Sequence, residues 1–237
     1  MPAPKANIKS KAVVADRDSI VFFRKTLRRW ASRNFVSFPW RRSRNRFHGL
    51  VAEVMLQRTR ADQVVPVFEE FVRRYPTPRH ALMAPAHSFT NLLRPLGLRW
   101  RAKALRNLSR TLSKRSAGVP STLDELKRLP GVGDYAAAAF NTFHLESPTT
   151  IIDSNIVRLY GRFFEFETGP ETRRNKAFRV LADKVQPFKN GRLFAYGLLD
   201  FTRSVCTPRP HCAICPLRNK CSYNLETQTE HTQRGRK

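Results

Sequence analysis

The sequence predicts an all-α protein. Apolar residues recur at helical spacing through most of the stretch from Arg17 to Phe201, alternating strand patterns are nearly absent, and proline and glycine fall mainly between the periodic segments. A chain of 237 residues can bury one large core or two intertwined ones, and no repeat of fixed period divides it. Forty-four Lys and Arg against 18 Asp and Glu give a net charge of +26, far beyond what solubility needs. Such an excess points to a polyanionic partner, most often nucleic acid, although a membrane surface would attract it too. Met1–Arg17 is polar and lysine-dotted, and the chain beyond it holds no apolar run of about 18 residues, so neither a signal peptide nor a membrane span is expected. The predicted location is intracellular.

Taken in order, residues 1–17 read as a flexible basic arm. Ile20, Val21, Phe22, Phe23, Leu27 and Trp30 follow helical spacing, with Asp18 or Ser19 as the expected cap. Phe38-Pro39-Trp40 breaks that helix and leads into a predicted loop carrying Arg41, Arg42, Arg44 and Arg46, which fits a phosphate contact and a solvated charge run equally well. Two helices are predicted next, Gly49–Leu56 and Ala61–Tyr75. Glu53 lies among Val51, Val54, Met55 and Leu56; from composition the simpler placement is a solvent-facing turn, the alternative a buried carboxylate that is paired or used. Further helices are predicted at His80–Leu93 and Arg101–Leu112, joined by Leu93-Arg94-Pro95-Leu96-Gly97-Leu98, where Leu98 reads first as a core residue and second as an exposed wedge. Ser121 or Thr122 with Glu125 forms a capping-box signal. Two last helical patterns cover Lys176–Val185 and Gly191–Phe201, and the tail is polar.

Two stretches carry chemistry. In Leu129-Pro130-Gly131-Val132-Gly133-Asp134-Tyr135, two glycines flank one apolar residue just before a helical run, a turn whose backbone N–H groups can face an anion. Asp153 comes next, at a helix start; on its own such an aspartate is most often only a cap. The second stretch is Cys206-x5-Cys212-x2-Cys215-x5-Cys221, interleaved with Pro208, Pro210 and Pro216 and with Arg203, Arg209, Arg218 and Lys220. Four clustered thiolates repel unless a metal centre neutralises them, and one compact loop suits a [4Fe–4S] cluster better than zinc, with unliganded structural cysteines as the third reading. The basic residues around that loop suggest it also faces phosphates.

The hairpin, the Asp153-Ser154-Asn155-x-x-Arg158 segment and the four-cysteine loop occur in the order of the helix-hairpin-helix DNA glycosylases, the superfamily of endonuclease III, which the chain resembles over about residues 20–223. Phe38-Pro39-Trp40 and Glu53-Val54-Met55-Leu56-Gln57-Arg58-Thr59 resemble the N-terminal motif of its adenine- and thymine-mismatch branch. The resemblance implies two helical lobes flanking a DNA cleft. One would be a six-helix lobe over residues 38–147; the other would combine 18–37 with 148–223 and hold the [4Fe–4S] cluster on Cys206, Cys212, Cys215 and Cys221, leaving 224–237 as a disordered tail. It assigns phosphate binding to Leu129, Gly131, Val132 and Gly133, intrusion into the duplex to Gln57 and Leu98, and catalysis to Asp153 with Glu53 and Tyr135.

The resemblance further implies a monomeric base-excision enzyme acting on double-stranded DNA with a mismatched or damaged base. A carboxylate stabilises the oxocarbenium character built up during N-glycosidic cleavage, and the target base must first leave the stack. Bifunctional relatives carry a lysine nucleophile where this chain has Tyr135, so a monofunctional glycosylase that leaves an abasic site is expected. Glu53, Tyr135 and Asp153 together resemble the enzymes that remove T or U opposite G. Adenine-mismatch enzymes, the alternative, tend to have Gly where Ser154 stands and add a C-terminal domain for which the sequence leaves no room. A DNA-binding protein without catalysis is the alternative of another class. The chain departs from the family in its first cysteine gap, five residues against a common six, and in Asp134, which replaces a basic residue.

Overall fold

The computed structural model describes residues 15–97, 99–145, 147, 149–187, 189 and 191–227. Those residues form helices and connecting turns, with no strand among them. The helices are α1 (Arg17–Asn34), α2 (Pro39–Arg42), α3 (Arg46–Met55), α4 (Ala61–Arg74), α5 (Pro78–Met83), α6 (Ala86–Leu93), α7 (Trp100–Ser113), α8 (Leu123–Lys127), α9 (Asp134–His144), α10 (Ser154–Phe164), α11 (Lys176–Val185) and α12 (Gly191–Ser204), with residues 222–227 helical at the end. The expected basic arm falls almost wholly, and the end of the expected tail entirely, outside the described residues.

The chain divides into two compact units, Val36–Ile151 on one side and Met1–Phe35 with Ile152–Lys237 on the other. In the unit 36–151, α3 is the central element. Eight of its residues are buried, Glu53 among them, and it packs on α4, α7 and α9. Ala136, Ala137 and Ala139 bury the inner face of α9, and their small side chains let α3 approach. Gly49 shows how close: a Cβ there would sit 2.7 Å from the His144 ring. The stretch 80–93 is two helices rather than the one expected, because Pro85 has no N–H to carry a helix across Ala84. Arg106 secures the break by donating from Nη1 to Leu82 O (2.9 Å) and from Nη2 to Ala84 O (2.7 Å) while lying over the Phe89 ring.

The other unit is built on aromatic packing. The Phe23 ring meets Tyr160, Phe163, Phe164 and Phe194 with centroids 4.9–6.4 Å apart. Helices α1 and α12 cross where Gly197 faces Ala31, and a Cβ at Gly197 would lie 2.6 Å from that methyl. Helix α1 begins earlier than a cap at Asp18 or Ser19 would allow: Asp16 is its cap and accepts from Ser19 N at 2.8 Å. Arg24 covers the exposed carbonyls at the end of α11, donating to Val185 O and Gln186 O.

Candidate DNA-repair site

The hairpin is assembled by local rules. Thr122 caps α8, accepting from Glu125 N and donating to Glu125 Oε2, which makes it the working cap of the pair Ser121/Thr122. After α8 the chain turns through Leu129 and Val132, whose buried side chains anchor it, and Val132 N bonds Leu129 O. Gly131 adopts φ +79°, a conformation an L side chain resists, and a Cβ there would also press on Ala104 at 3.0 Å. Gly133 is the N-cap of α9 with open space where a Cβ would point, so solvent or an anion can approach the start of that helix. Asp134 turns its charge to Lys127, 3.1 Å away, instead of capping the helix with its side chain.

Three other predicted residues share this unit. Gln57 reaches the hairpin directly: its Nε2 donates to Gly131 O at 2.7 Å. Tyr135 lies in the first turn of α9, half-buried. Glu53 is only 5% exposed, so the solvent-facing placement that composition favours does not hold. Burial pushes its carboxyl up to about 8, against the opposing pull of the Arg41 charge. Arg41, expected in an open loop with three other arginines, is instead in α2, 7% exposed, donating to Val36 O and lying over the Phe38 ring. Pro39 at the first helical position starts that turn and aims Trp40 and Arg41 inward. Leu98, the other expected intruding residue, lies outside the described residues.

Asp153 belongs to the other unit, half-buried as the N-cap of α10. Its Oδ1 accepts from Asn155 N (2.9 Å) and Ile156 N (2.8 Å), and its Oδ2 accepts from Asn155 Nδ2 (3.0 Å). The cap reading of Asp153 is therefore correct as geometry, and it is also what fixes the carboxylate. The bonding continues: Asn155 Oδ1 accepts from Arg158 Nη1 (3.0 Å), and Arg158 donates from Nε and Nη2 to Cys206 O. Sequence reasoning gives Asn155 and Arg158 no role of their own; their i,i+3 spacing on α10 is the signal that they meet.

The four cysteines form no disulfide, and all four line one small cavity together with Arg162, His211 and mostly apolar side chains. Arg162 ties this loop to α10 by donating to Thr207 O and Pro208 O, with its Nη1 3.6 Å from Cys206 Sγ. Burial pushes the thiols of Cys212 and Cys221 up and that of Cys215 to about 11, with neighbouring cysteines adding to the shift. Among the described residues no group of three or more His, Cys, Asp or Glu could hold a single metal ion.

Residues 51–183 match the family described as HhH-GPD superfamily base excision DNA repair protein, and the chain belongs to that family. Its relatives include the thymine-DNA glycosylase of Aeropyrum pernix, 37% identical over 194 residues that cover 78% of this chain and 86% of that protein. The thymine/uracil-DNA glycosylase of Pyrobaculum aerophilum is 36% identical over 189 residues, 76% and 81% of the two chains. An adenine DNA glycosylase from Mycobacterium tuberculosis is 31% identical, covering 79% of this chain and 63% of its own. The fold superposes on a solved thermostable thymine-DNA glycosylase with a TM-score of 0.81 at 29% identity, spanning 88% of this chain and 98% of that one. The all-α helix-hairpin-helix expectation is thereby met. Among the described residues, no helix is long and apolar enough to cross a membrane.

Proposed function

We propose that the protein is a monofunctional DNA N-glycosylase that removes T or U opposite G and leaves an abasic site. The observation that carries this reading is that a buried Glu53, its carboxyl pushed up to about 8, and a rigidly held Asp153 both occur in a chain that is 36–37% identical to two glycosylases named for thymine or thymine/uracil. Glu53 remains protonated at neutral pH and can supply a proton to the departing base. Asp153, held by three donors, offers negative charge to the cation that develops on the sugar. The Gly131–Gly133 turn grips a backbone phosphate through N–H groups at the start of α9. Tyr135, lacking an amine, cannot form a Schiff base with the abasic sugar.

The cysteine loop we read as a [4Fe–4S] site on Cys206, Cys212, Cys215 and Cys221. What supports this reading is the donor set: four thiols of one short loop line the same cavity, and no three of them stand close enough together to hold a single ion such as zinc. Such a cluster would supply the positive charge that these thiols need to ionise. The chain's own part is the docking of that loop on α10 by Arg158 and Arg162.

Adenine excision remains a second reading because adenine DNA glycosylases are also relatives; Ser154 after Asp153 favours the pyrimidine assignment. Asp153→Asn tests the mechanism. It should abolish base release while leaving duplex affinity near that of the wild type, and an active variant would remove Asp153 from the reaction.

A further inference from the structure

Two loops of the unit 36–151 have the same construction. The turn after α3 passes through Arg58 at φ +57°, directly after Gln57; the turn before α7 passes through Gly97 at φ +69°, directly before Leu98. Each residue expected to enter the duplex therefore adjoins a left-handed residue that bends the chain sharply at that point. A loop tip of this kind holds its direction only if the carbonyls around it are fixed from behind.

Arg101 is the group behind both. It is 0% exposed, on the inner face of α7, and its guanidinium reaches neutral oxygens of the two loops at once. Its Nη1 donates to Leu96 O at 2.8 Å, and its Nη2 donates to Gln57 O at 2.5 Å and to Thr59 Oγ1 at 2.9 Å. The Thr59 hydroxyl lies 3.4 Å from both Gln57 O and Leu96 O, closing the bridge. The Nε of Arg101 is buried with no hydrogen-bond partner, a cost that the three bonds of Nη1 and Nη2 offset. The planar guanidinium presents its N–H donors in fixed directions, so it sets the relation between two separate carbonyls more rigidly than a flexible ammonium can.

We propose that Arg101 is a positioning residue that holds the turn carrying Gln57 and the turn at Leu96-Gly97 in one fixed arrangement, so that opening of the base stack, and not duplex binding, depends on it. This rests on the reading above that Gln57 and Leu98 enter the duplex. The same arrangement is joined to the phosphate grip through the Gln57–Gly131 bond, so the grip and the two turns move as one body.

The test uses the Asp153→Asn protein as parent, to keep the reading before chemistry, and a T:G duplex with 2-aminopurine beside the target, whose fluorescence rises on unstacking. Adding Arg101→Lys, which keeps the charge but cannot span both carbonyls, should leave the Kd close to the parent's and remove most of the fluorescence rise. In the active protein the same change should slow single-turnover excision by on the order of 10²-fold. Thr59→Val, which deletes one arm of the bridge from a part-exposed position, should reduce the rise in the same direction by less; it carries the test if Arg101→Lys does not fold. An undiminished rise in both variants overturns the proposal, as does a loss of binding in proportion to the loss of fluorescence. A Gln57→Ala/Leu98→Ala protein that still gives the full rise would instead show that the intrusion reading is at fault, and a parent that gives none would count against base extrusion altogether.

Discussion

Glu53 is where one residue carries the most consequence. Its ordinary value would be 4.5, and burial lifts it to about 8. The folded protein therefore binds a proton that the unfolded chain has released across that interval. Stability falls as pH rises from about 4.5 through 8 and levels off above it, the sense required when the native state holds the extra proton. Glu53→Gln, which cannot ionise, should abolish that slope and gain a few kcal/mol over the wild type at alkaline pH, read from urea unfolding at several pH values. Excision should decline in step as pH passes about 8 in the wild type, because the ionised carboxylate has no proton to give. A pH profile that is the same in Glu53→Gln would mean the carboxyl plays no part. Tyr135 makes a complementary prediction: borohydride added during turnover should trap no covalent protein–DNA adduct, since trapping requires an amine at the sugar.

At the scale of elements, the hairpin and the cysteine loop each depend on a few backbone constraints. Gly131→Ala forces a side chain into φ +79° and against Ala104, so it should lower stability by about 1–2 kcal/mol and weaken DNA binding further than that loss of folded protein explains. Thermal unfolding and duplex titration of the same sample separate the two effects. Most helices and the hairpin are legible in the sequence because they follow from period, cap and turn chemistry that act within a few residues. Asp153 is legible as a cap, and the cap is what the structure shows. The burial of Glu53 is not, since it depends on α3 being surrounded by α4, α7 and α9. Nor is Arg41, whose inward turn is set by Pro39, or Arg101, one arginine among many until its three oxygen partners arrive from two distant loops. In each case the informative fact is the burial of an ionisable side chain, which packing decides and the residue type does not.

The whole molecule is governed by its net charge of +26. Binding dominated by phosphate contacts should weaken on the order of 10³-fold between about 50 and 200 mM salt, with little difference between matched and mismatched duplexes in that slope. A flat salt dependence would contradict the electrostatic reading of the composition. Discrimination between bases then has to come from the stack-opening and excision steps, which reside in particular side chains and not in the field.

The central claim is that this protein excises T or U opposite G and stops at the abasic site. The direct measurement is incubation with duplexes carrying T:G, U:G, A:G and A opposite oxidised guanine, each divided and analysed with and without alkali. Strand breaks are expected in the T:G and U:G duplexes only, and only after alkali. Breaks confined to the adenine-containing duplexes, breaks without alkali, or none in any duplex would each contradict it.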